Sequence, residues 1–144
     1  MSTMAEHTEV LDADPARCFD AVAAFDTYPD WMPAFRAVEV LERDAEGRGV
    51  LVEFRIDAKL REVRYILRHH LDAPRRISWD YVEGDAKDVE GEWRFEDAGD
   101  GRTRCTYAVS FDVGGFVPSS VKRALAEQAV RSSLSALAKR VDAA

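Results

Sequence analysis

The stretch "PSSVKRALAEQAVRSSLSALAKRV", residues 118–141, decides the fold, because it is the only long helical segment in a chain that otherwise alternates like strands. When its residues are placed at 100° intervals, one half of the helical wheel collects the apolar and small side chains: Leu125, Ala126, Ala129, Val130, Ser133, Leu134, Leu137 and Val141. The other half holds Glu127, Gln128, Arg131 and Asp142. The segment is therefore predicted to cover one face of another element.

The element that needs such a cover is a sheet. From Phe35 onward, five or six segments alternate with a period of two, and Gly and Asp turns such as "DAEGRG" and "DAGDGR" separate them. One face of these segments is apolar and aromatic, while the other is charged. This pattern is typical of a one-sided antiparallel sheet, whose apolar face must be buried.

The N-terminal part predicts a strand followed by two helices. "HTEVLDA" alternates weakly and indicates the first strand. Asp14 then stands as an N-cap before Pro15, and helical spacing of apolar residues continues to about Phe25. Because Pro29 and Pro33 interrupt the stretch "FDTYPDWMP", residues 25–33, only a short second helix or turn is expected there.

Composition limits the class of protein. The 144 residues fit one domain, spanning 1–144. The net charge of -7 and pI of 5.0 argue against nucleic-acid binding. Without a cationic leader or an apolar run of membrane length, we expect a cytoplasmic protein. The two cysteines are far apart and lack metal-site spacing, so we expect buried thiols rather than a disulfide framework or a zinc site. No metal and no cofactor are expected.

Motifs for nucleotide binding or triad chemistry are absent from the sequence: it has no Walker loop, GxSxG elbow, HExxH helix or dinucleotide fingerprint. His69 and His70 are adjacent, so on a strand they point to opposite faces and cannot chelate one ion together. His69 shares the inward row with Tyr65. It is either a general acid or base or a satisfied core histidine, and the sequence leaves both open.

The small residues of the long helix suggest a cavity. Ala126, Ala129 and Ser133 fall at the centre of its apolar half, with larger residues at the flanks. Because the inward strand rows are rich in rings, the helix and sheet either approach closely or leave an apolar pocket between them. The alternative is that the rings fill this space completely.

Three segments carry a resemblance to a known family: "DADPARCFDAVAAFDTYPDWMPAFRAVEVLERD", "VEGEWRFEDAGDGRTRCTYAVSFDV" and "SSLSALAKRV". They resemble the START-like (SRPBCC) superfamily of polyketide cyclase/dehydrase and lipid-transport proteins, and within it the coenzyme Q-binding and RatA-like branch. The resemblance covers nearly the whole chain. It implies an α+β helix-grip fold, in which a curved antiparallel sheet of about seven strands wraps around a long C-terminal helix, with two short helices after strand 1.

The resemblance also implies a function. We expect binding or transport of a hydrophobic small molecule, such as a lipid, quinone or polyketide, between sheet and helix. The alternative is a polyketide cyclase or dehydratase that uses cavity Tyr and His side chains, with His69, Tyr65 and Tyr107 as candidates. The inward rows lack the cavity arginine that such enzymes often use, which weakens this alternative. A second alternative is a RatA-like, ribosome-associated protein.

The residues expected to border the pocket combine the inward rings with the helix midline. They are Trp31, Phe35, Phe54, Tyr65, Leu67, His69, Trp79, Tyr81, Trp93, Phe95, Tyr107, Val109, Phe116, Ala126, Ala129 and Ser133. By the resemblance, Trp31 and Phe116 lie near the pocket mouth, where each is either a gate or a plug of the core. Residues 117–144 carry a net charge of +3 against -10 for the remainder, which would suit peripheral contact with anionic lipid. We expect a monomer or weak homodimer.

Overall fold

The computed structural model describes residues 4–57, 62–112 and 118–142. Its helices are α1 (Pro15–Ala23), α2 (Tyr28–Trp31) and α3 (Ser119–Asp142), with a 3-10 turn at Phe25–Thr27 between the first two. Its strands are β1 (Met4–Leu11), β2 (Phe35–Arg43), β3 (Gly49–Asp57), β4 (Glu62–Asp72), β5 (Arg76–Gly84), β6 (Asp88–Gly99) and β7 (Arg102–Asp112). The predicted order of elements is confirmed, and Phe116 lies outside the described residues.

The described strands form one antiparallel sheet in the order β1-β7-β6-β5-β4-β3-β2. Strands β2 to β7 pair consecutively, as a meander of hairpins does. The first strand returns to pair with the last, since His7 lies opposite Tyr107 in the β1–β7 register. This topology, with α3 packed against β1 and β7, is the helix-grip arrangement expected from the sequence.

The first helix begins where the sequence predicted. Asp14 caps α1 by accepting a hydrogen bond from the backbone N–H of Arg17 at 2.8 Å, and Pro15 occupies the first turn. The helix ends at Ala23, two residues before the expected Phe25, because the chain tightens into the 3-10 turn there. Phe19 and Val22 are fully buried where α1 packs on the core.

The buried stripe of α3 differs from the predicted one. The residues that face the core are Ala126, Val130, Leu134, Leu137 and Val141. Ala129 is exposed and Ser133 is half-buried, so the prediction that these two small residues form the centre of the buried face is wrong. Large residues fill the centre of the stripe along the second half of α3, which therefore packs closely on the core.

The two faces of the sheet divide as alternation predicted. On the outer face, oppositely charged side chains pair across neighbouring strands: Arg64 Nε lies 2.9 Å from Glu53 Oε2, and Arg94 lies 3.0 Å from Glu6. His70 is also outside, with Nε2 2.8 Å from Asp80 Oδ2. The inner face is concave and apolar. Cys18 and Cys105 are buried free thiols, as expected.

Candidate functional site

The concave face brings most of the predicted pocket residues together. Strand register places Phe54 beside Tyr65, His69 beside Trp79, and Trp93 beside Tyr107. Their rings form a continuous series of contacts across the sheet. The Trp93 and Tyr107 rings stack at 4.1 Å and 6°, and the Trp79 ring is 6.1 Å from that of Tyr107. Alternation alone was sufficient to predict this surface.

Packing on the concave face is tight at the end next to α1. Phe19, Ile77, Cys105 and Leu134 have no exposed surface there. Phe95 belongs to this packed end, because its ring meets Phe19 edge to face at 6.0 Å. It is therefore a core residue in the structure, although it was predicted to contact a ligand.

The other end of the concave face is less completely covered. Phe35, Ile56 and Tyr81 are only half-buried, although all three pack against the core. On α3, Leu125 is half-buried and Ala129 is exposed. β3 and β7 finish at this end, and β4 and α3 begin there.

Trp31 is held by contacts that close the junction between α2 and α3. Its indole Nε1 donates a hydrogen bond to Thr27 Oγ1 at 2.9 Å. One ring contact is with Tyr28, at 5.5 Å, and the Arg140 guanidinium lies 5.7 Å from the ring centre. Of the two interpretations of Trp31, a plug fits these contacts, because its polar atom and ring are both satisfied within the chain.

His69 lies on the concave face, one inward position along β4 from Leu71, and is 5% exposed. The Phe25 ring covers it at 4.3 Å, and Phe54 meets it edge to face at 5.8 Å. Burial lowers the pKa of His69 to about 3, although a hydrogen bond with the backbone of Val50 acts in the opposite direction. The imidazole is therefore neutral at physiological pH.

Two buried polar atoms on this face have no hydrogen-bond partner among the described residues: His69 Nδ1 and Trp79 Nε1. The two residues are directly opposite in the β4–β5 register, with ring centres 5.9 Å apart. Gly91 lets the Trp79 indole lie across β6, because a Cβ there would come within 2.8 Å of Trp79 Cζ2. An unpaired buried polar group costs about 1–3 kcal/mol.

The inward tyrosines remain protonated hydroxyls. Burial raises the pKa values of Tyr65 and Tyr107 far above their usual range. Tyr81 donates its hydroxyl hydrogen bond to the Ala86 carbonyl at 2.5 Å, so this predicted donor is already used in closing the β5–β6 connection. Tyr107 remains half-buried although protein surrounds it closely enough to raise its pKa.

Two polar residues of the concave face were not predicted. His7 and Glu9 share the inner face of β1 with buried Ala5 and Leu11, and His7 Nε2 lies 3.4 Å from Glu9 Oε1. Both side chains are about two-fifths exposed at the sheet edge. The sequence "AEHTEVL" could have revealed them, because His7 and Glu9 have the same strand parity as the apolar residues Ala5 and Leu11.

Neither a metal-binding group of side chains nor a membrane-spanning helix occurs in the part of the chain that the structure describes. No group of three or more His, Cys, Asp or Glu residues there lies close enough to hold a metal ion. Among the described helices, none has the length and apolar character needed to cross a membrane.

Solved structures described as START-like and related proteins share this architecture. A START superfamily protein from Mycobacterium smegmatis superimposes with a TM-score of 0.89 at 21% identity, over 97% of each chain. The ZhuI aromatase/cyclase from Streptomyces sp. R1128 gives 0.85 at 21% identity, covering 99% of this chain and 94% of its own. A Thermus thermophilus protein gives 0.83 at 21% identity, over 97% of each chain. At this identity the likeness concerns the fold.

The sequence assigns the family within that class. The model of the polyketide cyclase / dehydrase and lipid transport family matches residues 11–138, and the chain belongs to this family. The match does not single out the coenzyme Q-binding and RatA-like branch, which stays a prediction. A search of the curated proteins gave no match.

Proposed function

We propose that this protein binds an apolar small molecule on the concave face, at the end away from α1. The observation that carries the proposal is the difference in packing between the two ends. Fully buried residues such as Phe19 and Leu134 fill one end, whereas Phe35, Ile56 and Tyr81 keep exposed surface at the other. Half-covered rings on a concave surface are typical of ligand sites.

Tyr107 supports the same location. Its hydroxyl is surrounded by enough protein for burial to raise its pKa, yet the residue retains accessible surface. A ring in this situation is expected to border space inside the fold. Burying the apolar surface of a guest there would yield ~25 cal/mol per Å2.

His69 gives little support to the cyclase alternative. General acid–base catalysis near neutral pH requires a group whose pKa is close to the working pH. With a pKa of about 3, His69 is a weak base and is not protonated at pH 7. The raised pKa values of Tyr65 and Tyr107 make them hydrogen-bond donors that hold their protons. These groups suit orientation of a bound molecule better than proton transfer.

Native mass spectrometry of protein purified from its own host, followed by organic extraction, tests the proposal. We expect an apolar compound at about one molecule per chain. Leu125→Trp should lower this occupancy, because Leu125 is half-buried on the part of α3 at the less covered end. Ala124→Trp is the matched control, since Ala124 is exposed on another face of α3.

Equal occupancy in the two variants would move the site away from α3. Extraction of no apolar compound from the wild-type protein, together with failure to bind naphthalene-sized aromatic compounds added in solution, would contradict the proposed function.

A further inference from the structure

We propose that the bound molecule carries a hydroxyl group, which accepts a hydrogen bond from Trp79 Nε1 and donates one to His69 Nδ1. The inference rests on the proposed function and names the chemical class of its ligand: a neutral alcohol or phenol. The two protein atoms are buried, lie on the concave face and have no partner among the described residues.

The two atoms belong to one site because the sheet places them side by side. His69 and Trp79 are direct partners across β4 and β5, so both side chains project from the same face. Their ring centres are 5.9 Å apart. A ligand oxygen that hydrogen-bonds both nitrogens lies about 3 Å from each of them, so the inference requires His69 Nδ1 and Trp79 Nε1 to lie within about 6 Å of each other when the ligand is bound.

The chemistry of each ring determines whether its unpaired nitrogen donates or accepts a hydrogen bond. An indole Nε1–H is only a donor. The neutral imidazole has one donor and one acceptor nitrogen, and a hydrogen bond to the backbone of Val50 uses one of them. Because Nδ1 has no partner among the described residues, we assign the bond to Val50 to Nε2, which then carries the proton and leaves Nδ1 as an acceptor.

A hydroxyl is the smallest ligand group that satisfies both atoms, since it accepts and donates at one oxygen. A ketone or ether oxygen satisfies Trp79 alone and leaves the His69 lone pair without a donor. A carboxylate has the same defect and also brings a charge next to the rings of Phe25 and Phe54, where desolvation is unfavourable. An ammonium group donates only, so it cannot pair with Trp79.

The rings around the pair indicate which hydroxyl compounds fit. Phe25 and Phe54 flank His69, and Tyr107 neighbours Trp79 at 6.1 Å. Such a lining favours a flat, apolar body whose single polar group meets the two nitrogens. A fused aromatic alcohol is therefore a suitable probe.

Titration calorimetry with 2-naphthol and its methyl ether, 2-methoxynaphthalene, tests the inference. The ether keeps the oxygen that accepts from Trp79 but cannot donate to His69. We expect wild-type protein to bind 2-naphthol about 10- to 100-fold more tightly than the ether, the cost of leaving one buried acceptor unpaired. In His69→Phe, which keeps a ring and removes the acceptor, this ratio should fall to about one.

His70→Phe is the matched control, because His70 lies on the outer face next to Asp80 and should leave the ratio unchanged. If His69→Phe does not fold, Trp79→Phe gives a second readout, since losing the indole donor should weaken both compounds while the ratio between them persists. The Trp79 indole proton should shift in the NMR spectrum when 2-naphthol is added to the wild-type protein.

The outcomes separate this inference from the proposed function. If both compounds bind equally well to the wild-type protein, water satisfies the two nitrogens and the hydroxyl inference is wrong, while apolar binding stands. A ratio that His69→Phe leaves intact, or affinities that Trp79→Phe leaves intact, also overturn it. If neither compound binds, the proposed function fails together with the inference.

Discussion

His69 shows how the burial of one residue links stability to pH. Its pKa is lowered to about 3 in the folded protein, whereas an unfolded histidine has a pKa of about 6.5. Below pH 6.5 the unfolded chain therefore binds a proton that the folded chain does not. The contribution of neutral His69 is complete above pH 6.5 and is lost progressively as the pH falls toward 3.

We expect wild-type protein to lose about 2 kcal/mol more unfolding free energy than His69→Phe between pH 7.5 and pH 5, from this proton alone. Urea denaturation at both pH values measures the difference. A parallel loss in the two proteins would show that His69 titrates normally in the fold. NMR titration of the His69 ring should show no protonation down to pH 5.

The position of His69 was predictable from the sequence, but its hydrogen bonds were not. Alternation on β4 was enough to place His69 inside and His70 outside, because the period of a strand is fixed by its backbone. Which ring nitrogen meets Val50, and which is left unpaired, depends on contacts between strands and on the turn carrying Phe25. No local pattern contains that information.

Among the elements, α3 departs most from the sequence prediction. Its surface is rich in Ala and Ser, so several of its faces have similar hydrophobicity. A helical wheel therefore predicts the buried face of α3 only approximately. Packing against β1, β7 and α1 then selects the stripe through Val130 and Leu134 rather than the one through Ala129. The strands were predicted better, because apolar and charged residues contrast sharply on their two faces.

The selected stripe of α3 makes a stability prediction. Leu134→Ala should cost about 2–5 kcal/mol, because it opens a cavity where the side chain is completely buried. Ala129→Leu should change stability by less than about 0.5 kcal/mol, since Ala129 is exposed. Urea denaturation compares both with the wild-type protein. If Ala129→Leu proved the more damaging, α3 would be rotated from the face described.

The junction of α1 with α2 depends on one buried hydroxyl. Tyr28 donates a hydrogen bond of 2.5 Å to the Val22 carbonyl, and its ring packs on Phe35 and Phe54. Tyr28→Phe keeps the ring and leaves the carbonyl unpaired, so we expect a loss of about 1–3 kcal/mol. Trp31→Phe removes a half-buried hydrogen bond and should cost less. Chemical denaturation of both variants decides whether this ordering holds.

At the scale of the whole molecule, the two ends of the sheet differ in how completely the residues of the inner face are buried. The end next to α1 contains Phe19, Ile77 and Leu134 with no exposed surface and provides a close-packed core. The opposite end keeps the half-buried rings of Phe35 and Tyr81 beside fully buried Val63. The proposed function would combine this close-packed core with a neighbouring surface that accepts a guest.

The sequence was sufficient to predict the order of elements and the START-like family, because turns and alternation determine the meander. It could not separate the core from the proposed binding surface within one inward row. Phe95 and Tyr107 have the same parity on facing strands, but only Phe95 lies under α1. That distinction arises where α1 crosses the sheet, which is a property of tertiary packing.

Intermolecular NOEs between bound 2-naphthol and isotope-labelled protein test most directly the claim that the concave face binds an apolar molecule. We expect contacts from the naphthol ring to Trp79, Tyr107 and Phe35 on the concave face. A complex whose contacts fall on the outer face, at residues such as His70 or Val82, would contradict the account.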